Sequence, residues 1–168
     1  MPPLEAGRER VLDYDELKRL FQSLGEHGVE YVLVGGVAMN LHGVVRATED
    51  VDVFVRPTEE NAARLRAALR SLWDDDEIDG ITAEDLGGRY PTIRYGPPDT
   101  DWAIDLLSRL GTRLRYDDLE SEESEIGGVP VRVATPRALY RMKRDTVRPI
   151  DRADAEALRL AFDLEGEA

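Results

Sequence analysis

The chain of 168 residues has no cysteine and only two histidines, His27 and His42. Without thiols there is no disulfide framework, and the charged start, Met-Pro-Pro-Leu-Glu-Ala-Gly-Arg, lacks the apolar segment of a signal peptide, so nothing points to export. Two histidines do not offer a histidine-rich metal site. Long apolar runs are missing too: none approaches the roughly 20 residues of a membrane-spanning helix, so no membrane contact is expected and the expected location is cytoplasmic. Basic residues are also scarce, with 22 Lys and Arg against 35 Asp and Glu and a net charge of −13. That balance argues against broad nucleic-acid binding, which draws most of its affinity from neutralised phosphates, and leaves room only for a local basic patch. The acidic runs Asp74-Asp75-Asp76-Glu77 and Asp117 to Glu125 read as solvated loops rather than metal sites. One domain, residues 1–168, is long enough to bury a core without metal or disulfide staples.

What is present centres on residues 31–56. Tyr31 to Val34 is a short run of strand formers, Gly35-Gly36 breaks it, Val37 to Leu41 suits a brief helix ending at Gly43, and Asp50 to Val55 alternates as a second strand. On that strand Val51, Val53 and Val55 share one face and Asp50, Asp52 and Phe54 the other. Two carboxylates about 7 Å apart on one face repel each other unless a cation lies between them. Hard oxygen donors of this kind suit Mg²⁺, which takes one or two carboxylates from a protein and fills its other positions with water and substrate phosphate oxygens. The glycine pair lets backbone approach a ligand, and the helix start behind it presents N–H groups and a positive dipole end to an anion such as a triphosphate. Taken singly, each piece has a plainer reading: a tight turn, and the solvated face of an edge strand.

The rest of the chain supplies supports and further candidates. Residues 1–12 read as a loose lead-in, followed by a helix with Asp13 or Asp15 as N-cap, an apolar stripe at Leu17, Leu20, Phe21 and Leu24, and Gly25 and Gly28 as its stop. Thr58 caps a second helix with a stripe at Ala62, Leu65, Leu69 and Leu72. Residues 74–88 form a loop with a helical turn at Ala83 to Leu86. Pro91 to Tyr95 and Trp102 to Leu107 suit neighbouring antiparallel strands across the turn cluster Gly96-Pro97-Pro98-Asp99, and Asp105 stands alone in the second, an expensive place for a carboxylate unless it meets water or an arginine. A hairpin turns at Gly127-Gly128, with Pro130 marking an edge strand. Thr135-Pro136 opens a helix to about Arg144, in a basic helical segment, residues 135–164, that gathers Arg137, Arg141, Lys143, Arg144, Arg148 and Arg152 into a candidate anion site. A last helix is expected from about Asp151, with Asp151 as N-cap and Asp154 at N3. His42 is expected to serve the end of the short helix.

The order of an apolar strand, Gly-Gly, a short helix and Asp-x-Asp on a strand resembles the nucleotidyltransferase superfamily of the DNA polymerase β kind, and Asp105 in Ile-Asp-Leu-Leu resembles its third carboxylate. More specifically, His42-Gly-x-x-Arg46-x-Thr-x-Asp50-x-Asp52 and the segment from Lys143 through Arg148-Pro-x-Asp151-x-x-Asp154 resemble AbiEii-like bacterial nucleotidyltransferases. The resemblance implies an α+β (mixed α/β) fold with a small mixed sheet flanked by helices, and transfer of a nucleoside monophosphate from a nucleoside triphosphate to an acceptor hydroxyl with release of pyrophosphate. It implies two Mg²⁺ or Mn²⁺ ions on Asp50, Asp52 and Asp105, with Lys143 joining these as a catalytic group, and a nucleotide held by Gly35, Gly36, Arg46, Lys143 and Arg148. In that group a downstream aspartate orients the basic side chains. The acceptor implied is a tRNA end or other RNA in a toxin–antitoxin setting with a cognate antitoxin. A small-molecule, antibiotic-type or protein-modifying transferase is the alternative within this chemistry, and a non-catalytic nucleotide- or partner-binding relative the alternative outside it. The chain departs from the pattern at Gly36, where many relatives have Ser, and it stops soon after the last helix, which bears on how a large acceptor is held.

Overall fold

The computed structural model describes residues 12–88, 92–110, 114–144 and 148–164. Helix α1 (Tyr14–Glu26) begins at Asp13, whose carboxylate accepts the Asp15 N–H, and buries the expected stripe of Leu17, Leu20, Phe21 and Leu24. Gly28, at φ +66°, turns the chain into β1 (Tyr31–Val34), all four of whose residues are buried. Covered on both faces, β1 shows no alternation. A short helix, α2 (Gly35–Leu41), leads to β2 (Val51–Val55), antiparallel to β1 with Tyr31 opposite Val55 and Val34 opposite Asp52.

Thr58 caps α3 (Glu59–Arg70) by accepting the Asn61 N–H. The acidic stretch beyond it folds into a 3₁₀ turn, Asp76–Gly80, and a short helix α4 (Ala83–Gly87). Then follow β3 (Thr92–Tyr95), β4 (Ile104–Leu107), the short pair β5 (Arg109–Leu110) and β6 (Leu114–Arg115), the hairpin β7 (Ser121–Ile126) and β8 (Val129–Ala134), and helices α5 (Pro136–Lys143) and α6 (Pro149–Phe162). Six strands form one sheet in the order β3-β4-β2-β1-β8-β7. Its β2–β4 and β1–β8 pairs are parallel and the others antiparallel, which is the mixed sheet expected. Helices α1 and α3 pack together and α1 reaches β8, while α5 packs on α6, α2 and β8. The valines of β2 and Phe54 alike are buried, so both faces of that strand are covered and its polar face emerges only at the Asp52 end.

Several expectations need correction. Asp50 lies one residue ahead of β2 rather than on it, and β4 starts at Ile104 rather than Trp102. Of the other strand in that pair, Pro91 lies outside the described residues. Ser121 to Glu125 are not loop but most of β7, the outer edge of the sheet. Pro130 does not mark an edge strand, because β8 lies between β1 and β7. Its missing N–H is tolerated since β8 is paired to β1 only at Leu33 opposite Val133, three residues further on. Helix α6 starts earlier than expected: Pro149 holds its first turn, Arg148 is the N-cap without a side-chain bond, and Asp151 sits inside the helix.

Candidate active site

The register of the sheet assembles the acidic half of the site. In the parallel β2–β4 pair Asp52 stands directly beside Asp105, and in the antiparallel β3–β4 pair Arg94 stands opposite Asp105. Asp50 is anchored across the same gap: its Oδ1 accepts the Ala103 N–H at 3.2 Å and its Oδ2 accepts from Arg94 Nη2 at 3.0 Å. Arg94 Nη1 lies 3.4 Å from both carboxylate oxygens of Asp105.

Burial first, and then the Asp105 charge and hydrogen bond, push the Asp52 carboxyl up to about 7; Lys143 pulls the other way. Asp105 is raised by burial and held back by Arg94. This corner of the sheet therefore carries more negative charge than its own cations balance. Among the described residues no three His, Cys, Asp or Glu side chains form a ready-made cage for an ion, and Asp50 and Asp105 both turn to the Arg94 fork.

Glycine is required beside these carboxylates. Gly35 has φ +71°, and a Cβ built on it would overlap the Asp52 carboxylate. At Gly36 a Cβ would come within 2.9 Å of Thr48 Cβ. The departure from Ser at this position thus has a local cause, since the loop from Gly43 to Asp50 lies directly over it. That loop is pinned by the Arg46 N–H donating to Asn40 Oδ1 at 2.9 Å and by Thr48 Oγ donating to the Asp50 carbonyl at 3.0 Å.

The basic half comes from α5 and α6. Lys143 ends α5 with its side chain 11% exposed, and its Nζ donates to Asp154 at 2.8 Å and Asp151 at 3.3 Å. Asp154 also accepts from Arg46, so one buried carboxylate holds two cations from opposite ends of the sequence. Asp151 and Asp154, three residues apart, share one face of α6 and use it for this grip instead of capping. His42 ends α2 as expected, its Nε2 donating to the Ala134 carbonyl at 2.7 Å.

A cleft of about 560 Å³ opens between the two halves, lined by Gly36, Arg46, Asp50, Asp52, Asp105, Lys143 and Arg148 together with Thr48, Glu49, Arg94 and Asp151. A second hollow of about 230 Å³ adjoins it, sharing Asp52, Asp105, Lys143 and Arg148 and adding Gly35, Leu107, Leu110, Leu139 and Met142. All eight side chains and glycines picked from the sequence therefore border one connected region. Arg137, Arg141, Arg144 and Arg152 of the basic segment line neither cavity. Arg94 is the cation here that the sequence did not single out, whereas Thr48 stands in the run quoted from His42 to Asp52. The signal for Arg94 would have been the register of β3 on β4, which eight residues of connection conceal.

The solved structures that resemble this one give the class. An antigenic nucleotidyltransferase-like protein from Paracoccidioides brasiliensis matches with a TM-score of 0.55 and 20% identity, over 88% of this chain and 75% of that one. ANT(2″)-Ia in complex with adenylyl-2″-tobramycin matches at 0.55 and 16%, over 88% of each chain. A Thermotoga maritima protein assigned as a nucleotidyltransferase matches at 0.51 and 17%, over 97% and 96%. Likeness at these identities concerns the fold, which is that of a nucleotidyltransferase. No curated protein sequence matches the chain. The family model described as "Nucleotidyl transferase AbiEii toxin, Type IV TA system" matches residues 18–155, and the chain belongs to that family.

Proposed function

We propose that this protein moves a nucleoside monophosphate from a nucleoside triphosphate to an acceptor hydroxyl, using divalent ions held by Asp50, Asp52 and Asp105. The observation that carries this reading is the Asp52–Asp105 pair: two carboxylates in register on adjacent parallel strands, with Asp52 lifted to about 7 by burial and then by the Asp105 charge. Their hard oxygens suit Mg²⁺ or Mn²⁺, and the absence of any Cβ on Gly35 leaves the Asp52 carboxylate reachable, so the residues present fit such ions. When bound, the ions neutralise the triphosphate and lower the pKa of the attacking hydroxyl.

The chain's own groups do the remainder. The acceptor oxygen attacks the α-phosphorus, the bond from that phosphorus to pyrophosphate breaks, and Asp105 takes the acceptor's proton. Lys143 and Arg46, both held by Asp154, face the leaving pyrophosphate as positioned cations, with Arg148 at the rim. Gly35 and Gly36 leave the backbone open to the phosphates. Three cations, Arg46, Lys143 and Arg148, meet Asp151 and Asp154 on this wall, where a triphosphate would find them already positioned.

The acceptor proposed is an RNA end, as befits a toxin family, under control of a cognate antitoxin. A small-molecule acceptor is the second reading, favoured by the net charge of −13, which leaves little basic surface for a large RNA. The test is transfer of α-³²P label from each of the four ribonucleoside triphosphates, with Mg²⁺, to total RNA and to an aminoglycoside panel. Label should pass to acceptor with the wild type and not with Asp52→Asn. Normal transfer by that variant would remove the assignment.

A further inference from the structure

Arg94 is the cation that this site contains but that its motif does not explain. It stands on β3, an edge strand of the sheet, opposite Asp105, and its fork spans Asp105 on β4 and Asp50 just ahead of β2. Asp50 Oδ1 is already engaged by the Ala103 N–H, so Oδ2 is the oxygen left to face the cleft, and Arg94 Nη2 holds it at 3.0 Å. Its other nitrogen sits 3.4 Å from both oxygens of Asp105. The guanidinium thus lies where an ion bridging Asp50 and Asp105 would put its charge, and both would use the same oxygens.

The grip on Arg94 is light. Its side chain is 61% exposed, against 28% for Asp50 and 17% for Asp105, so water stands ready to solvate the guanidinium as it leaves. A divalent ion carries twice the charge in a smaller radius and wins those oxygens once it arrives with charge of its own to spare. Within the same cleft a bound triphosphate would give the released guanidinium another anionic partner.

We propose that Arg94 is a displaceable counter-ion: it holds Asp50 and Asp105 together in the metal-free protein, must leave Asp50 Oδ2 before a divalent ion binds there, and so couples ion entry to arrival of the triphosphate. This rests on the reading of Asp50 and Asp105 as ion ligands. Arg94 is a positioning residue in this account, acting through the carboxylates. The free protein accordingly holds divalent ions weakly, and ion and nucleotide load together.

The experiment is calorimetric titration of Mn²⁺ into the full chain, as wild type, Arg94→Gln and Arg94→Lys, with and without a non-hydrolysable triphosphate. Removing one exposed positive charge from the ion's neighbourhood should tighten nucleotide-free Mn²⁺ binding by roughly tenfold in Arg94→Gln. The lysine keeps the charge but cannot span both carboxylates, so Arg94→Lys should fall between that variant and wild type. With triphosphate present the three should converge. The gain in metal affinity is a readout that a merely structural arginine would not produce, since loosening the site would weaken binding. Equal or weaker Mn²⁺ binding by folded Arg94→Gln, with the wild type binding Mn²⁺ alongside triphosphate, overturns the role of Arg94 alone. If Arg94→Gln does not fold, the same criterion applies to Arg94→Lys. Absence of Mn²⁺ binding from every protein under every condition overturns the ion-ligand reading and this proposal with it.

Discussion

Replacing Asp52 by Asn should stabilise the metal-free protein at alkaline pH while abolishing its response to divalent ions. The ordinary value for this carboxyl is 3.8, and burial beside Asp105 holds it at about 7 in the folded chain. Below pH 4 Asp52 is protonated whether the chain is folded or not, and it costs nothing. Between about pH 4 and pH 7 the unfolded chain releases the proton that the folded chain keeps, so stability declines as pH rises through that window; above it the folded protein bears the buried charge in full. About three units at 1.36 kcal/mol each give a ceiling of about 4 kcal/mol. At 2–4 °C per kcal/mol for a chain of this size, that is a rise in Tm of roughly 8–16 °C for Asp52→Asn at pH 8. Lys143, the cation that opposes the shift, is already balanced within that value. Scanning calorimetry of both proteins in chelator, from pH 4 to pH 9, reads it directly. The advantage should shrink toward zero at pH 4, and saturating Mg²⁺ at pH 8 should raise the wild type but not the variant. A difference that stays the same from pH 4 to pH 8, or a wild type more stable in chelator at pH 8, would refute the reasoning.

Gly35→Ala should cost at least about 2 kcal/mol in denaturant unfolding, because the residue needs φ +71° and its methyl would strike Asp52; metal-dependent nucleotide binding, followed by calorimetry, should go with it. Asp154→Leu, which breaks the shared grip on Arg46 and Lys143, should cost about 3 kcal/mol and weaken triphosphate binding. Adding Lys143→Met to it should cost less than the sum of the two single changes, a coupling that a double-mutant cycle measures. Phe21→Ala in α1, a fully buried core side chain remote from the carboxylates, should cost about 3–5 kcal/mol with Mn²⁺ affinity unchanged in the folded fraction.

The half of the site built from neighbouring residues was the legible half. From Tyr31 to Val55 the pattern switches from an apolar strand through Gly-Gly to strict alternation, and the structure places strand, helix, loop and strand there, with the glycine pair opening the helix instead of forming a separate turn. Asp105 could be picked only through resemblance, because its position beside Asp52 depends on a parallel pairing that spans some fifty residues of intervening helix and loop. Arg94 escaped for a different reason: its place opposite Asp105 depends on the antiparallel β3–β4 register across an eight-residue connection. The misread start of α6 shows a different limit: two aspartates three apart look like a cap, yet the preceding Pro149 fixes the helical φ first and frees both carboxylates for Lys143 and Arg46. The acidic run from Asp117 to Glu125 also divides by context. Its first residues belong to a 3₁₀ turn, while Glu122, Glu123 and Glu125 line an edge strand, where charge discourages a stray chain from pairing.

The contact between Arg46 and Asp154 joins residues 108 positions apart, with Lys143 gripped by the same carboxylate. A polypeptide growing from its N-terminus therefore carries Asp50, Asp52 and Asp105 well before it carries the residue that aims its cations. Until α6 is made, Arg46 and Lys143 lack the carboxylate that they share. If those cations hold a triphosphate as proposed, a chain cut before α6 would have the carboxylates of the site without positioned contacts for phosphate.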